Sequence, residues 1–180
     1  IALMMLVFIG ASTAMYAQQS SSENRRAERK AQRDAEKARE KREEAQAYAN
    51  AVQAINNRKF VLEADRITFK RGRSDFVTSN TNFVLLNGEK ASVQVAFNGP
   101  YAGPNGIGGI TVDGRVGEIK TTTDKKGNVN CNFNVVGVGI SAQVSIRLTH
   151  DTNNASVTIN PNFNSNRLSL DGKVIPLSES

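Results

Sequence analysis

The sequence predicts a mainly β protein, an antiparallel β-sandwich or a barrel-like meander preceded by one long charged N-terminal α-helix. From Phe60 onward apolar and polar residues alternate, which is typical of strands with one buried face. Glycine, asparagine and aspartate interrupt this alternation about every 8 to 12 residues, as turns do in such folds. Before Phe60 the chain is rich in helix-forming residues, and no Gly or Pro occurs from Glu23 to Arg71.

Residues 1–17 predict an export signal. Residues 1–10 are uncharged and apolar, residues 11–17 are mostly small, and polar residues begin at Gln18, in the order of an h-region followed by a cleavage zone. An apolar run of this length, with Ser and Thr inside it, is short for a transmembrane helix, so a signal peptide is the favoured interpretation. The initiating Met and the basic n-region are missing, so we expect the signal to be incomplete at its front.

The export signal predicts where the protein works. We expect cleavage after Ala14 or Ala17, so the mature chain begins near Met15 or Gln18 and keeps no stable membrane span. No cysteine stands at the end of the signal to receive a lipid. The sequence therefore predicts a periplasmic or secreted protein that is not a lipoprotein.

Residues 18–59 form the second predicted segment, a polar spacer followed by a charged helix. Ala, Arg, Glu, Lys and Gln dominate from Arg25 to Ile55 and favour a helix of about 30 residues. The favoured interpretation is a solvated helix whose end, Tyr48 to Ile55, docks on the following domain. The alternative is weak self-association through a coiled-coil seam, because small and apolar residues recur at heptad spacing: Ala31, Ala38, Ala45 and Val52.

The net charge of +6 does not predict nucleic-acid binding. Residues 23–59 hold 11 basic and 7 acidic residues, and residues 60–180 hold 12 and 10. The basic residues interleave with acids and lack neighbouring aromatics, whereas nucleic-acid binders gather basic residues on one face. The β domain, residues 60–180, is therefore nearly neutral, and no nucleic-acid partner is expected.

Strands and turns alternate along the β domain. A long strand is predicted from Phe60 to Phe69 and a second from Asn82 to Leu86, and we expect the strands to build a core that the helix does not supply. Asn87-Gly88 predicts a two-residue type I′ hairpin, and Asp113-Gly114 repeats that signal. The other predicted turns are at Arg71-Gly72, 124–128, 149–154 and Gly172.

The strand pattern also assigns inward and outward faces. On two consecutive strands, the residues predicted to face the core are Val129, Cys131, Phe133, Val135, Ile140, Ala142, Val144, Ile146 and Leu148. Cys131 is the only cysteine and is predicted to be a packed thiol, without a disulfide or a zinc cluster. His150 is the only histidine and lies in a predicted turn without the partners of a catalytic base. We expect no catalytic residue, no metal and no cofactor.

The bend from Asn98 to Gly109 is the first candidate for a ligand or partner contact. It is much longer than a two-residue hairpin turn, and such loops usually bind or cover something. Tyr101 is either a ligand contact or a cap on the core, and the stiffness of a loop with two prolines favours capping. A second candidate is the asparagine-rich string from Asn160 to Asn166, for which an edge strand with Asx turns is the favoured interpretation. The predicted contact residues are Asn98, Tyr101, Asn105, Asn162 and Asn164.

Four strings of the β domain resemble a Bacteroidetes family of exported proteins known as domain of unknown function 4251. They are Phe60 to Arg73, Val95 to Gly114, Thr123 to Asn128 and Ile159 to Leu168, and the second contains the distinctive sequence G-P-Y-A-G-P-N-G-I-G-G. The resemblance implies an envelope or secreted location in a Gram-negative gut-type bacterium. It implies no assigned activity and brings no catalytic residues.

Together these features predict an exported cell-envelope or secreted protein that acts as a non-catalytic binding or structural module. Its partner is expected to be an unknown envelope component or a small ligand. The first alternative is a glycan-processing enzyme with a carboxylate pair formed by Glu63 or Asp65 and Glu118, although scattered acids on strands usually face solvent. The second alternative is an oligomeric scaffold assembled through the N-terminal helix.

Overall fold

The structure, a computed structural model, describes residues 8–98, 107–138, 140–162 and 167–178. Side chains are described from residue 24 onward, except those of Asn98 and Ile107. The chain divides into two compact units, residues 1–43 and residues 44–180.

Helix α1 runs over Phe8–Asn56 and supplies the described part of the first unit and the start of the second. It includes residues 18–24, part of the predicted polar spacer, because strong helix formers extend an existing helix through a few weaker residues. Side chains from residue 24 to residue 43 are exposed, and Arg39 Nε lies 3.2 Å from Glu43 Oε1. Within the described residues, no helix combines the length and the apolar character needed to cross a membrane.

The described part of the second unit contains ten strands, with a short 3-10 helix, Ser79–Thr81, between the second and the third. The strands are β1 Lys59–Phe69, β2 Ser74–Phe76, β3 Phe83–Asn87, β4 Lys90–Asn98, β5 Ile107–Val116, β6 Lys120–Thr123, β7 Val129–Gly137, β8 Ser141–Leu148, β9 Asn154–Pro161 and β10 Leu168–Pro176.

Eight of these strands close into an antiparallel barrel. The ring order is β1, β3, β4, β5, β7, β8, β9 and β10, and β10 returns to β1. This closing pair runs from Phe60 opposite Pro176 to Phe69 opposite Leu168. β2 pairs with β1 and β6 pairs with β7 outside the ring. Of the two predicted architectures, sandwich and barrel, the structure is the barrel, since the β1–β10 pairing joins the edges that a sandwich would leave open.

Inward side chains of the ring strands form one hydrophobic core. The predicted inward residues of β7 and β8 are buried, except Ile140, which is half-buried before β8. The end of α1 belongs to the same core, because Ala51, Ala54 and Ile55 are buried in it. The Tyr48 hydroxyl donates a hydrogen bond to the Gly127 carbonyl (2.5 Å). The expectation that the helix supplies none of the core is therefore wrong, whereas docking of its end on the strands is observed.

Several predicted turns are present. Gly72 has a φ of +83° between β1 and β2, and Asp151 has a φ of +58° between β8 and β9. The β3–β4 hairpin also forms, but Asn87 pairs with Lys90, so its central residues are Gly88 and Glu89. Only Gly88 of this pair has a positive φ, whereas a type I′ turn needs two. The predicted hairpin is thus correct and its turn type and position are wrong.

Two glycines that predicted turns lie inside strands instead. Gly114 is in β5 opposite Ala91 and Gly137, and Gly172 is in β10 opposite Ala64. A Cβ on Gly114 would overlap the carbonyl oxygen of Val136 on the neighbouring strand. Glycine at these positions permits close approach of backbones, so the glycine signal was correct but its cause was not a turn.

The turn between β6 and β7 is organised by one carboxylate. Asp124 Oδ1 accepts hydrogen bonds from the backbone N–H groups of Lys126 (2.8 Å) and Asn128 (2.9 Å). Asp124 Oδ2 accepts from the Asn128 side-chain amide (2.8 Å) and from Arg147 Nη2 (2.9 Å). The Asn128 side chain, assisted by the other three donors, lowers the pKa of Asp124 from 3.8 to about 2.

This depressed pKa predicts an acid-sensitive contribution to stability. Because the folded pKa lies below the unfolded value, the contribution is complete above 3.8 and is lost as the pH falls towards about 2. Asp124→Asn should therefore lower the melting temperature at neutral pH. It should also make the melting temperature decrease less steeply as the pH is lowered from about 4 to about 2. Asp151→Asn, in the neighbouring turn, is the matched control. Parallel pH profiles for Asp124→Asn and wild type would contradict this account of the turn.

Candidate binding groove

The predicted contact residues are only partly within the described chain. Three of them lie outside it, Tyr101, Asn105 and Asn164, and both roles considered for Tyr101 stay predictions. Asn98 ends β4 and Asn162 follows β9, and these two strands are not neighbours in the ring. The Asn162 N–H donates to the Ser141 carbonyl, and the Ser141 N–H donates to Asn162 Oδ1, both at 2.9 Å. The Asn162 side chain therefore fastens the start of β8 to the end of β9.

His150 and Cys131 make contacts that belong to a turn and to the core, respectively. His150 is exposed, its ring meets Tyr48 edge-on with centroids 5.2 Å apart, and its Nδ1 lies 3.4 Å from Asp151 Oδ2. Cys131 is buried on β7, and burial raises the pKa of its thiol above 9.0, which keeps the thiol protonated at neutral pH. In the described chain, no cluster of three His, Cys, Asp or Glu side chains is arranged to hold a metal ion.

The acids considered as a glycosidase pair lie apart on the barrel surface. Glu63 and Asp65 face outward from β1, and the exposed Glu118 follows β5. Two strands, β3 and β4, stand between β1 and β5, which separates the acids by about 14 Å around the ring at ordinary strand spacing. Glycosidase carboxylates lie about 5 to 10 Å apart. The structure does not bring these acids together.

Among the residues that the structure describes, a groove on the outer face of the barrel is the strongest candidate for a functional site. It crosses β3, β4, β5 and the end of β7 and has a volume of about 550 Å³. Ala91, Val112 and Val135 on these strands are buried in the core, so the residues beside them point outward. The side chains that line the groove include Leu85, Lys90, Ser92, Asp113, Arg115, Val136 and Val138.

One row of cross-strand neighbours forms the polar floor of the groove. Leu85 of β3 lies opposite Ser92 of β4, and Ser92 lies opposite Asp113 of β5. The Ser92 hydroxyl donates a hydrogen bond to Asp113 Oδ1. This bond orients the Asp113 side chain towards Ser92 on the floor of the groove.

The adjacent row carries two cations. Lys90 of β4 lies directly opposite Arg115 of β5, and Arg115 lies opposite Val136 of β7. Like charges directly opposite each other on antiparallel strands are destabilising. Neither Lys90 nor Arg115 makes an ion pair with a residue that the structure describes. The groove therefore offers two cations, beside the single carboxylate of Asp113, to an anionic group from outside the described chain.

The wall beside these cations is apolar. Val136 is 58% exposed, and Val138, just beyond β7, is fully exposed at 102%. Single exposed apolar residues are ordinary on protein surfaces. Here two exposed valines adjoin Leu85 and two cations that make no ion pair with a described residue. Contact with a partly apolar partner would remove this surface from water.

Comparison with known proteins identifies the family. A model of the family described as "Domain of unknown function (DUF4251)" matches residues 42–174. The chain belongs to the DUF4251 family. It is similar to a solved structure, the crystal structure of a DUF4251 family protein from Bacteroides eggerthii DSM 20697 at 1.95 Å resolution, with 56% sequence identity and a TM-score of 0.71. The match covers 78% of this chain and 94% of that chain. No curated protein shows a significant match.

The extent of the DUF4251 match agrees with the structure in two respects. It begins at residue 42, close to the start of the second unit at Glu44, and so includes the end of α1 that completes the barrel core. The resemblance noted from sequence strings began only at Phe60. The match also contains the whole groove, from Leu85 to Val138.

Proposed function

We propose that this DUF4251 protein is exported to the bacterial cell envelope, as a periplasmic or secreted protein, and binds an acidic, partly apolar segment of a partner protein in the outer groove. In this proposal it is a binding module and not an enzyme. The observation that carries the proposal is the unpaired Lys90–Arg115 cross-strand pair beside the exposed Val136 and Val138.

The exposed valines and the two cations of the groove together favour a partner that is both acidic and partly apolar. Burial of exposed valine surface contributes about 25 cal/mol per Å² to association. Carboxylates on the partner relieve the repulsion between Lys90 and Arg115 and orient the complex, mainly by accelerating correct encounters. An entirely apolar partner would instead desolvate both cations without compensation. An acidic segment that also carries apolar side chains satisfies both requirements.

The shape of the groove favours a macromolecule over a small ligand. Small-ligand sites usually bury most of the surface of their ligand in a concave pocket. Here Val138 projects fully into solvent at one end of the groove, on the outside of the barrel. A segment of a larger partner can lie along such a surface and cover it.

Export and the absence of catalysis are parts of the same proposal. Residues 1–17 have the order of a signal peptide without a lipidation cysteine, which supports a soluble envelope or secreted location. The buried Cys131, the exposed His150 in its turn and the separated carboxylates of β1 and of Glu118 favour binding over catalysis.

Photo-crosslinking in the native host tests the groove as an interface. A photoreactive amino acid replaces Val138 in the full chain, and the same replacement at Ile175 is the matched control, because Ile175 is 37% exposed on the outward face of β10. We expect a discrete protein adduct from position 138 and no comparable adduct from position 175. Equal adducts from both positions, or none from position 138, would contradict the proposal.

A further inference from the structure

A second surface, on the helix of the first unit, carries a cluster of unpaired cations. Five side chains line one shallow depression together with a single acid, Asp34, and we call these five the basic face: Arg26, Arg29, Lys30, Arg33 and Lys37. From these residues we propose that the first unit binds the anionic headgroups of a phospholipid membrane. This inference is independent of the outer groove.

Helix geometry places the five cations together. Their spacing follows the i, i+3, i+4 and i+7 pattern, which confines them to about a third of the helix circumference along about 16 Å of axis. All five side chains are exposed. None of them forms an ion pair with a residue whose side chain the structure describes, whereas Arg39, away from this face, pairs with Glu43.

The distribution of charge differs from the interleaved pattern expected of a solvated helix. The sequence of this segment mixes acids and bases, but the helix sorts them, so that only Asp34 lines the depression with five cations. Five cations gathered around one acid leave an excess of positive charge, and an anionic surface offsets that excess. A count of charges along the segment does not reveal this sorting, which depends on their positions around the helix.

Two observations favour a membrane over nucleic acid. The basic face begins a few residues after the predicted cleavage sites at Ala14 and Ala17, so it stays on the mature chain, and clusters of about four to eight cations on a helix are attracted to anionic lipid headgroups. No aromatic residue occurs between Asn24 and Ala47, whereas sequence-tolerant nucleic-acid binders stack bases on aromatic side chains. The flat, extended row of cations matches a sheet of phosphate headgroups.

Vesicle binding by the mature chain, from Gln18 to Ser180, tests this inference. The probes are vesicles of phosphatidylcholine alone and of phosphatidylcholine mixed with phosphatidylglycerol, and the ratio of the two affinities isolates charge from the common apolar contribution. The face variant carries R29Q, R33Q and K37Q. The control variant carries R25Q, R39Q and R42Q, which remove the same charge from other sides of the helix. Circular dichroism verifies equal helix content in both.

We expect the preference of the wild-type chain for phosphatidylglycerol vesicles to fall about tenfold or more in the face variant and less than about twofold in the control variant. It should also weaken with added salt. Equal losses in the two variants, or no preference in the wild-type chain, would overturn the inference.

A random-sequence DNA duplex is titrated in parallel. Loss of duplex binding in the face variant with unchanged vesicle binding would assign the surface to nucleic acid and overturn it too.

Discussion

Gly172→Ala is expected to destabilise the barrel by about 3 kcal/mol, which corresponds to a fall of about 10 °C in melting temperature. Gly172 lies in β10 where the β1–β10 pairing shifts register between Ala64 and Arg66. A Cβ at this position would overlap the carbonyl oxygen of Glu63 and come within 2.7 Å of the Cα of Ala64. Backbone atoms cannot rotate away as a side chain can, so the pairing that closes the barrel has to shift.

Gly117→Ala is the matched control for this substitution. Gly117 lies between β5 and β6 and has no heavy atom within 4 Å of an added Cβ. Its φ is not positive, so alanine is not strained there. Urea denaturation of both variants measures the difference. Equal free energies of unfolding would show that the backbone at Gly172 has room to move and that its contact does not determine barrel closure.

Ile55→Ala is expected to lower the free energy of unfolding by about 2 to 4 kcal/mol, as for other isoleucines lost from a packed core. Ile55 is 1% exposed and belongs to the same core as the ring strands. The matched control is Ile175→Ala, the same chemical change on the outward face of β10, with an expected cost below about 1 kcal/mol.

The comparison of these two variants, again by urea denaturation, decides whether the end of α1 is part of the barrel. If Ile55→Ala and Ile175→Ala have the same small effect, the helix end contributes nothing to the core. The strands from Phe60 onward would then build the core without the helix, as the sequence predicts.

The fold could be predicted largely because period-two alternation is a local signal. It correctly assigned the inward residues of β7, such as Cys131 and Phe133, since burial on one face leaves a direct trace in the sequence. Ring closure was not predictable in this way. It depends on β10 meeting β1 across most of the chain, and no local pattern specifies that distant pairing.

Local sequence patterns did not predict the structural roles of two glycines and one buried polar residue. Gly114 and Gly172 resembled turn glycines because Asp-Gly and isolated glycines occur in both settings. Asn82 is the one buried polar residue in the described core. Its Nδ2 donates to the Thr78 carbonyl at 3.0 Å, and its Oδ1 accepts from the Ala96 N–H at 2.9 Å. Nothing near Asn82 in the sequence indicates that it joins two distant segments.

The candidate groove was missed for a related reason. The contact residues predicted from the sequence came from the 98–109 bend and the asparagine-rich string, and none came from the middle of a strand. The adjacent Val135 and Val136 were an available signal, because two successive valines on a strand cannot both face the core. Lys90 lies opposite Arg115 only in the observed β4–β5 register. That register could not be predicted while Gly114 was assigned to a turn and not to a strand.

The most direct test of the central claim, that the groove selects an acidic partner, is the effect of charge reversal on crosslinking from position 138 in the native host. The variant carries K90E and R115E, and the control carries K126E and K173E, which change the net charge equally at exposed positions outside the groove. We expect the adduct yield to fall about tenfold in the variant and less than about twofold in the control. An unchanged yield in the variant, or equal losses in both, would contradict recognition of acidic groups by Lys90 and Arg115.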